Sequence, residues 1–189
     1  MAIRKVSEGV SQWNSKMEFP KDRYILHCVE EEFGISKGSQ NPMVTRTWEV
    51  IGNGEGSETI TIGDKTVGIA GTKITQYRPT KVRTEDKEGW DPQKSDKAFG
   101  AFRDELKTCG FDEEEIDDEN PPVFMKGKTV EAVVYGKKDV SRKQQTPEQK
   151  KRNEPGDPIK DANNKEVITY QPQIEMIIGL SETKVNAPY

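Results

Sequence analysis

Two strand-like runs joined by a long polar turn constrain the fold of this chain more than any other feature. The runs RYILHCVEEEF (23–33) and MVTRTWEVIG (43–52) alternate in hydrophobicity and are rich in strand-forming residues, which predicts two neighbouring strands. Between them lies SKGSQNPM (36–43), although two residues suffice to turn a hairpin. A connection of this length, with Lys37 beside Gly38, suggests a loop that bears on function.

The rest of the chain predicts a mainly β protein with one helix. Asp91 followed by Pro92 is typical of a helix start, apolar residues then recur at helical spacing, and Gly110 is placed to end the helix. Glycines interrupt one of the strand-like runs, which predicts a bulge or bend there. The further strand-like runs lie at 58–62, 66–77, 128–140 and 166–180.

The order of these elements is that of an OB-fold. With the short run at 58–62 set aside, the order is strand, strand, strand, helix, strand, strand. An OB-fold is a five-stranded, partly open barrel that binds oligonucleotides on strands two and three and on the loops joining strands one to two and four to five. We therefore predict an N-terminal arm at 1–22, an OB-fold domain at 23–182 with a long basic loop at about 137–165, and a C-terminal tail at 183–189.

In such a barrel, SKGSQNPM joins the first two strands. We expect Gly38, Asn41 and Pro42 to shape this loop and Lys37 to lie at the rim of the binding groove. An alternative interpretation is that the motif only sets the turn.

Charge is distributed unevenly along the chain, although the net charge is only −4. Residues 137–152 carry seven bases against two acids, and residues 73–83 carry four bases and no acid. These segments predict contact with a polyanion; the alternative is a solubilising insertion. Residues 112–119 contain seven acids, which predicts a solvated face or a decoy that competes with a polyanion for the basic surface. The segment 141–165 is so polar that in isolation it has the composition of disordered chain.

Common metal and nucleophile patterns are absent from the sequence. His27 is the only histidine, no Cys-x-x-Cys occurs, and neighbours on a strand such as His27 and Cys28 point to opposite faces. Cys28 and Cys109 are expected to be small buried side chains in a reducing compartment. No signal-peptide or membrane-spanning run is recognisable, so we expect a soluble intracellular protein. Because the common metal and nucleophile patterns are missing, we expect no cofactor, metal or catalysis. Two alternatives remain: a metal-dependent nuclease using acids such as Glu166 and Glu175, and a structural or assembly protein.

The stretch YILHCVEEEFGISKGSQNPMVTRTWEVI (24–51) resembles the N-terminal core of bacteriophage single-stranded DNA-binding proteins. In that family an acid-rich strand precedes a Ser-Lys-x-Gly-Asn-Pro-Met type turn and a second strand ending in aromatic-x-Val, and MKGKTVEAVVY (125–135) is also similar. The resemblance implies a protein that protects single-stranded intermediates of phage DNA replication or recombination in the host cytoplasm. It also implies phage replication or recombination proteins as partners, and homo-oligomeric or cooperative assembly on DNA. The ending SETKVNAPY (181–189) departs from the acidic tail common among proteins of this function.

Single-strand binders need cations that follow the phosphates and aromatic faces on which bases stack. For Trp48 a core position is favoured, since large aromatic residues are mostly buried, whereas Tyr77 with its following cations fits stacking and a solvated strand end equally well. Trp90 has the alternative of pinning its own loop. The candidate DNA-binding residues are Lys37, Arg46, Trp48, Lys73, Tyr77, Arg78, Lys81, Arg83, Trp90, Tyr135, Lys137, Lys138, Arg142 and Lys143.

Overall fold

The structure, a computed structural model, describes residues 10–112, 116 and 124–182. It is mainly β, as the sequence predicts, with one five-stranded antiparallel sheet and one three-stranded sheet. The elements are β1 (Ser11–Gln12), β2 (Asp22–Ile35), β3 (Pro42–Asn53), β4 (Thr59–Ile62), β5 (Lys65–Gly68), β6 (Lys73–Pro79), α1 (Pro92–Thr108), β7 (Thr129–Val140), α2 (Pro147–Lys151) and β8 (Ile168–Leu180).

The large sheet has the strand order β6-β3-β2-β7-β8 and is not closed into a barrel by hydrogen bonds. Helix α1 packs against both of its edge strands, β6 and β8. The inner face of β3 follows strict period-two alternation, with Val44, Trp48 and Val50 fully buried. Phe102 and Leu106 lie one helical turn apart on α1 and complete the core against this face.

A bulge in β2 decides which of its glutamates faces the core. The register with β3 shifts between Cys28 and Glu30, so that Cys28 lies opposite Trp48 and Glu31 lies opposite Arg46. An extra residue in one strand reverses the subsequent inside–outside alternation. Glu31 is therefore buried and Glu30 exposed.

Helix α1 starts and ends at the residues indicated by the sequence. Asp91 is the N-cap and its carboxylate accepts a hydrogen bond from Lys94 N at 2.9 Å, while Pro92 is the first helical residue. Gly110 follows the helix with a φ of +80°, the left-handed conformation that glycine adopts without steric cost.

The run predicted as one bent strand at 66–77 is two strands, β5 and β6, in different sheets. A turn separates them: Thr72 N donates to Ile69 O at 3.0 Å and Gly71 has a φ of +84°. The glycines break the strand because a left-handed residue reverses the chain instead of continuing an extended ladder.

The segment 141–165, whose composition suggests disorder, is organised in the structure. Short backbone hydrogen bonds join its ends, from Lys143 N to Asp157 O at 2.7 Å and from Ile159 N to Ser141 O at 2.7 Å. Thr146 caps α2 in a reciprocal capping box. Local hydrogen bonding thus supplies the order that burial of apolar residues does not.

Some of the sequence predictions lie outside the described residues. These are the first nine residues of the arm, most of the acidic run at 112–119 and the tail at 183–189. No helix within the described ranges is both long and apolar enough to cross a membrane.

Candidate nucleic-acid interface

The loop between β2 and β3 is a compact turn closed by its own backbone. Ser36 N donates to Asn41 O at 2.9 Å, and Gln40 N donates to Ser36 O at 3.0 Å. Gln40 has a φ of +57°, a left-handed conformation that residues other than glycine adopt only rarely. Lys37 is exposed at the surface of this loop.

The segment that follows β6 is hydrogen-bonded to this loop. The Asn41 side-chain oxygen accepts from Arg83 N at 2.8 Å, and the Arg83 guanidinium donates to Gln40 O at 3.3 Å. The ammonium of Lys87 donates to Gly38 O at 2.7 Å. The loops 36–41 and 80–91 therefore form one continuous surface.

At this surface two cations lie against one indole ring. The guanidinium carbon of Arg83 is 4.3 Å and the ammonium of Lys81 is 5.1 Å from the centroid of the Trp90 ring. Arg83 and Trp90 also form a backbone bridge, and 38% of Trp90 is exposed. We call Lys81, Arg83 and Trp90 the Trp90 cluster. Cation–π contacts of this kind contribute about 0.5–1 kcal/mol at exposed sites, enough to orient both cations beside the ring.

The loop at 80–91, which we call the Trp90 loop, has a net charge of −1. It contains three bases and four acids, Glu85, Asp86, Glu88 and Asp91. A hydrogen bond from the Thr84 hydroxyl, with another from Glu88 N, holds the pKa of Asp86 below its usual range, so this carboxylate is charged at neutral pH. Any attraction of the Trp90 cluster for an anion would therefore come from local contacts and not from the net charge of its loop.

The outer face of β6 continues the aromatic surface. Tyr77 is 59% exposed and lies opposite Thr45 of β3 in the register, and Lys73 is exposed on the same face. One strand further, Glu32 of β2 lies opposite Thr45. Because Glu32 lies towards the middle of the sheet and repels anions, the outer face of the sheet is most favourable to an anion near β6.

Arg46 and Trp48, both candidates from the sequence, are fully buried and are removed from the interface. Arg46 Nε donates to Glu31 Oε1 at 2.7 Å, its Nη1 pairs with the Glu105 carboxylate, and Trp48 Nε1 donates to Gln76 Oε1 at 3.0 Å. The alternation of β3 directs both side chains inward. A buried guanidinium is tolerated here because two carboxylates, those of Glu31 and Glu105, pair with it.

Arg78 joins this buried network from the protein surface. Its Nε and Nη2 donate to one Glu105 oxygen at 2.9 and 2.7 Å, and its side chain is 28% exposed. The second oxygen of the Glu31 carboxylate accepts from Met125 N at 2.6 Å and from Lys126 N at 3.1 Å. Sequence reasoning missed this network because its acids lie far along the chain from Arg46; the signal was an arginine at an inward position of β3.

A separate, basic surface lies at the far end of the β7–β8 hairpin. We call residues 137–167 the basic lobe; it contains nine basic and six acidic residues, a net charge of +3. Lys137, Lys138 and Lys143 are exposed, whereas the Arg142 guanidinium donates to Gly156 O at 3.1 Å and so helps to hold the lobe together. Tyr135 is half-buried and its hydroxyl donates to the side chain of Gln173 at 3.0 Å.

The candidate residues did not include three exposed cations of this lobe, Lys150, Lys151 and Arg152, at the end of α2. Thr146 followed by Pro147, with Gln149 at the third helical position, was a sequence signal for that helix.

Both cysteines are free thiols in the core, as the sequence predicts. Burial raises the pKa of Cys28 to about 12, with a further contribution from the Glu31 charge. Burial likewise raises the pKa of Cys109 to about 11. Both thiols therefore remain protonated and unreactive in the native protein at neutral pH.

Among residues 10–112, 116 and 124–182 there is no group of three or more His, Cys, Asp or Glu side chains arranged to hold a metal ion. Comparisons of the chain with protein-family models, curated proteins and solved structures gave no match. Function is therefore inferred from the residues of this chain.

Proposed function

We propose that this protein binds single-stranded DNA without sequence specificity and without catalysis, on a partly open barrel of the OB type. The order β6-β3-β2-β7-β8 supports such a barrel, since the two edge strands are the third and fifth of the core strands in chain order and α1 packs against both. The resemblance of residues 24–51 to phage single-stranded DNA-binding proteins supports the same function. The loop 36–41 and the basic lobe are then the two loops that an OB-fold uses for oligonucleotides.

The Trp90 cluster is the observation that carries this proposal. A single strand exposes both phosphates and base faces, and binding without sequence preference combines cations with aromatic platforms. Trp90 brings two cations to an exposed indole, and Tyr77 offers a second exposed ring on β6. Arg83, with its guanidinium carbon 4.3 Å from the centroid of the indole ring, is placed to contact a phosphate or base beside that ring.

The two surfaces have different roles in this proposal. The Trp90 loop, with a net charge of −1, contributes stacking and local phosphate contacts. The basic lobe, at +3, contributes most of the long-range attraction. Each phosphate neutralised on a single strand contributes about −0.7 to the slope of log K against log salt concentration, so affinity falls as salt rises.

The wider setting that we propose follows from the resemblance. The protein protects replication or recombination intermediates of a phage in the host cytoplasm, meets phage replication or recombination proteins there, and assembles with further copies along the DNA.

Fluorescence anisotropy with labelled oligo-dT and a matching duplex, each at two salt concentrations, tests the binding. We expect tighter binding of the single strand, weakened by salt. Equal affinity for the duplex, or no binding at low salt, would refute the proposal. Incubation of the same DNA with magnesium or manganese tests for catalysis, and degradation would identify a nuclease instead. Defined oligomers in light scattering, with no affinity for either DNA, would identify an assembly protein.

A further inference from the structure

The part of the β7–β8 hairpin that carries the basic lobe extends beyond the sheet. β7 pairs with β2 only as far as Val134, which lies opposite Asp22. From Tyr135 to Val140, in the described part of the chain, β7 pairs only with β8. A two-stranded ribbon is marginally stable by itself, so this ribbon needs a further contact to hold a defined position.

Residues 11–21, which we call the strap, make that contact. Phe19 O accepts a hydrogen bond from Gly136 N on β7 at 2.9 Å. Ser15 O accepts one from Tyr170 N on β8 at 2.7 Å. The strap thus bonds to both strands of the ribbon.

These hydrogen bonds lie next to Lys137 and Lys138, the first two cations of the basic lobe. Gly136 directly precedes Lys137, and Tyr170 lies opposite Lys138 in the register of the two strands. A shift of the strap would therefore move this basic pair directly.

The other end of the strap is bound to the small sheet. Its first residues form β1, which pairs in parallel with Val67 and Gly68 of β5. Gln12 Nε2 donates to Ala70 O at 3.0 Å, and Trp13 N donates to Gly68 O at 2.8 Å. The strap therefore links the ribbon to the β4–β5 hairpin, which follows the C-terminal end of β3.

Gly136 allows the strap to lie this close. A Cβ atom at this position would be 2.8 Å from Phe19 O, shorter than real contacts of a Cβ atom, and 3.0 Å from Phe19 N, tighter than nearly all of them. The Phe19 ring is 1% exposed and packs on the rings of Tyr24 and Trp13, with centroid distances of 4.9 and 5.3 Å. The buried ring anchors the strap, so a side chain at position 136 has no room unless the strap moves away.

We propose that the strap positions the basic lobe for contact with single-stranded DNA. This inference rests on the proposed function and adds the strap as a positioning element of that binding surface. A ribbon held in a defined position presents its cations to the phosphates together, whereas a displaced ribbon makes fewer of these contacts, so both affinity and salt slope depend on the strap without any contact between strap and DNA. Phe19 and Gly136 are positioning residues in this proposal.

Gly136→Ala tests it, with Gly100→Ala as the matched control because a Cβ at Gly100, in α1, meets nothing within 4 Å. In the free protein, we expect amide hydrogen exchange in the ribbon to rise roughly tenfold in Gly136→Ala and to stay unchanged in the control. With oligo-dT, we expect the salt slope of Gly136→Ala to flatten by about 2, the equivalent of three lost phosphate contacts. A change of stability alone would not alter that slope.

Unchanged exchange in Gly136→Ala would overturn the strap as an ordering element. Faster exchange with an unchanged salt slope would overturn its role in positioning the lobe. If the wild-type protein does not bind oligo-dT, the proposed function and the positioning role both fail, and exchange alone decides whether the strap orders the ribbon. Should Gly136→Ala fail to fold, Trp13→Ala, which removes the ring packed edge-on against Phe19, releases the strap more mildly and is judged by the same two measurements.

Discussion

Replacing Arg46 by alanine separates a core residue from a DNA contact. Its guanidinium is fully buried, pairs with Glu31 and Glu105, and lies 5.5 Å from the centroid of the Phe102 ring. The truncation leaves two carboxylates in the core without their shared cation. We expect the Arg46→Ala protein to lose stability.

The magnitude follows from the partners that remain. Removing one member of a buried ion pair costs about 3–5 kcal/mol, because an uncompensated charge stays in the core. Glu31 keeps its bonds from Met125 N and Lys126 N, and Glu105 keeps Arg78, so we expect the lower end of that range, about 3 kcal/mol. With a urea m-value of about 2 kcal/mol/M, the unfolding midpoint falls by about 1.5 M.

Equilibrium urea unfolding, followed by circular dichroism, measures this loss. Arg78→Ala is the matched control, since it also removes a cation from Glu105 but its side chain is 28% exposed, and we expect it to cost no more than about 1 kcal/mol. In a double-mutant cycle, Arg46→Ala with Glu105→Ala should lose less stability than the two single variants together, by about 1 kcal/mol or more. A midpoint within about 0.3 M of wild type, combined with weaker oligo-dT binding, would refute the reasoning and restore Arg46 as a DNA contact.

Three further predictions concern the interface, the thiols and the basic lobe. Trp90→Ala should weaken oligo-dT binding roughly 5- to 150-fold in anisotropy, the equivalent of about 1–3 kcal/mol for one stacked base, and unaltered affinity would exclude stacking on this ring. The free energy of unfolding should fall as pH rises above 9, by up to about 1.4 kcal/mol per pH unit for each thiol. The reason is that unfolded thiols ionise with a pKa near 9.0, whereas burial raises the pKa of Cys28 to about 12 and that of Cys109 to about 11. Urea unfolding at pH 8 to 10 tests this. A Cys28→Ala/Cys109→Ala protein that loses as much stability over the same pH range would contradict it. Gly156→Ala should speed tryptic cleavage within the basic lobe, because its Cβ would lie 2.0 Å from Lys143 O, and an unchanged digestion pattern would argue against the closed lobe.

Much of the local structure could be predicted because its causes are local. The alternation of β3, the Asp91 cap and Gly110 at the end of α1 each depend on a few neighbouring residues. The split of 66–77 was not predicted, because the glycine pattern fits both a bulged strand and a turn, and only pairing with different partners distinguishes them.

The candidate site was predictable in part. The sequence pattern grouped Lys81 and Arg83 with Tyr77 and left Trp90 in a separate loop, because the contact of these cations with Trp90 depends on the bridge that brings Arg83 back to it. Arg46 was assigned to the interface although the alternation of β3 puts it on the inward face, because a guanidinium is not expected in a core without acidic partners. Its burial depends on Glu31, 15 residues away, and Glu105, 59 residues away.

The amino-acid sequence by itself determined the mainly β class, the long turn between β2 and β3, the helix with its caps and the two basic segments, since propensity, alternation and charge act over short distances along the chain. Only the tertiary structure decided that a bulge turns Glu31 towards Arg46, that the loops 36–41 and 80–91 form one surface, and that the strap crosses at Gly136. These features arise where segments distant in sequence approach within hydrogen-bond or van der Waals distance. Such approaches depend on the packing of the whole domain, so no local pattern encodes them.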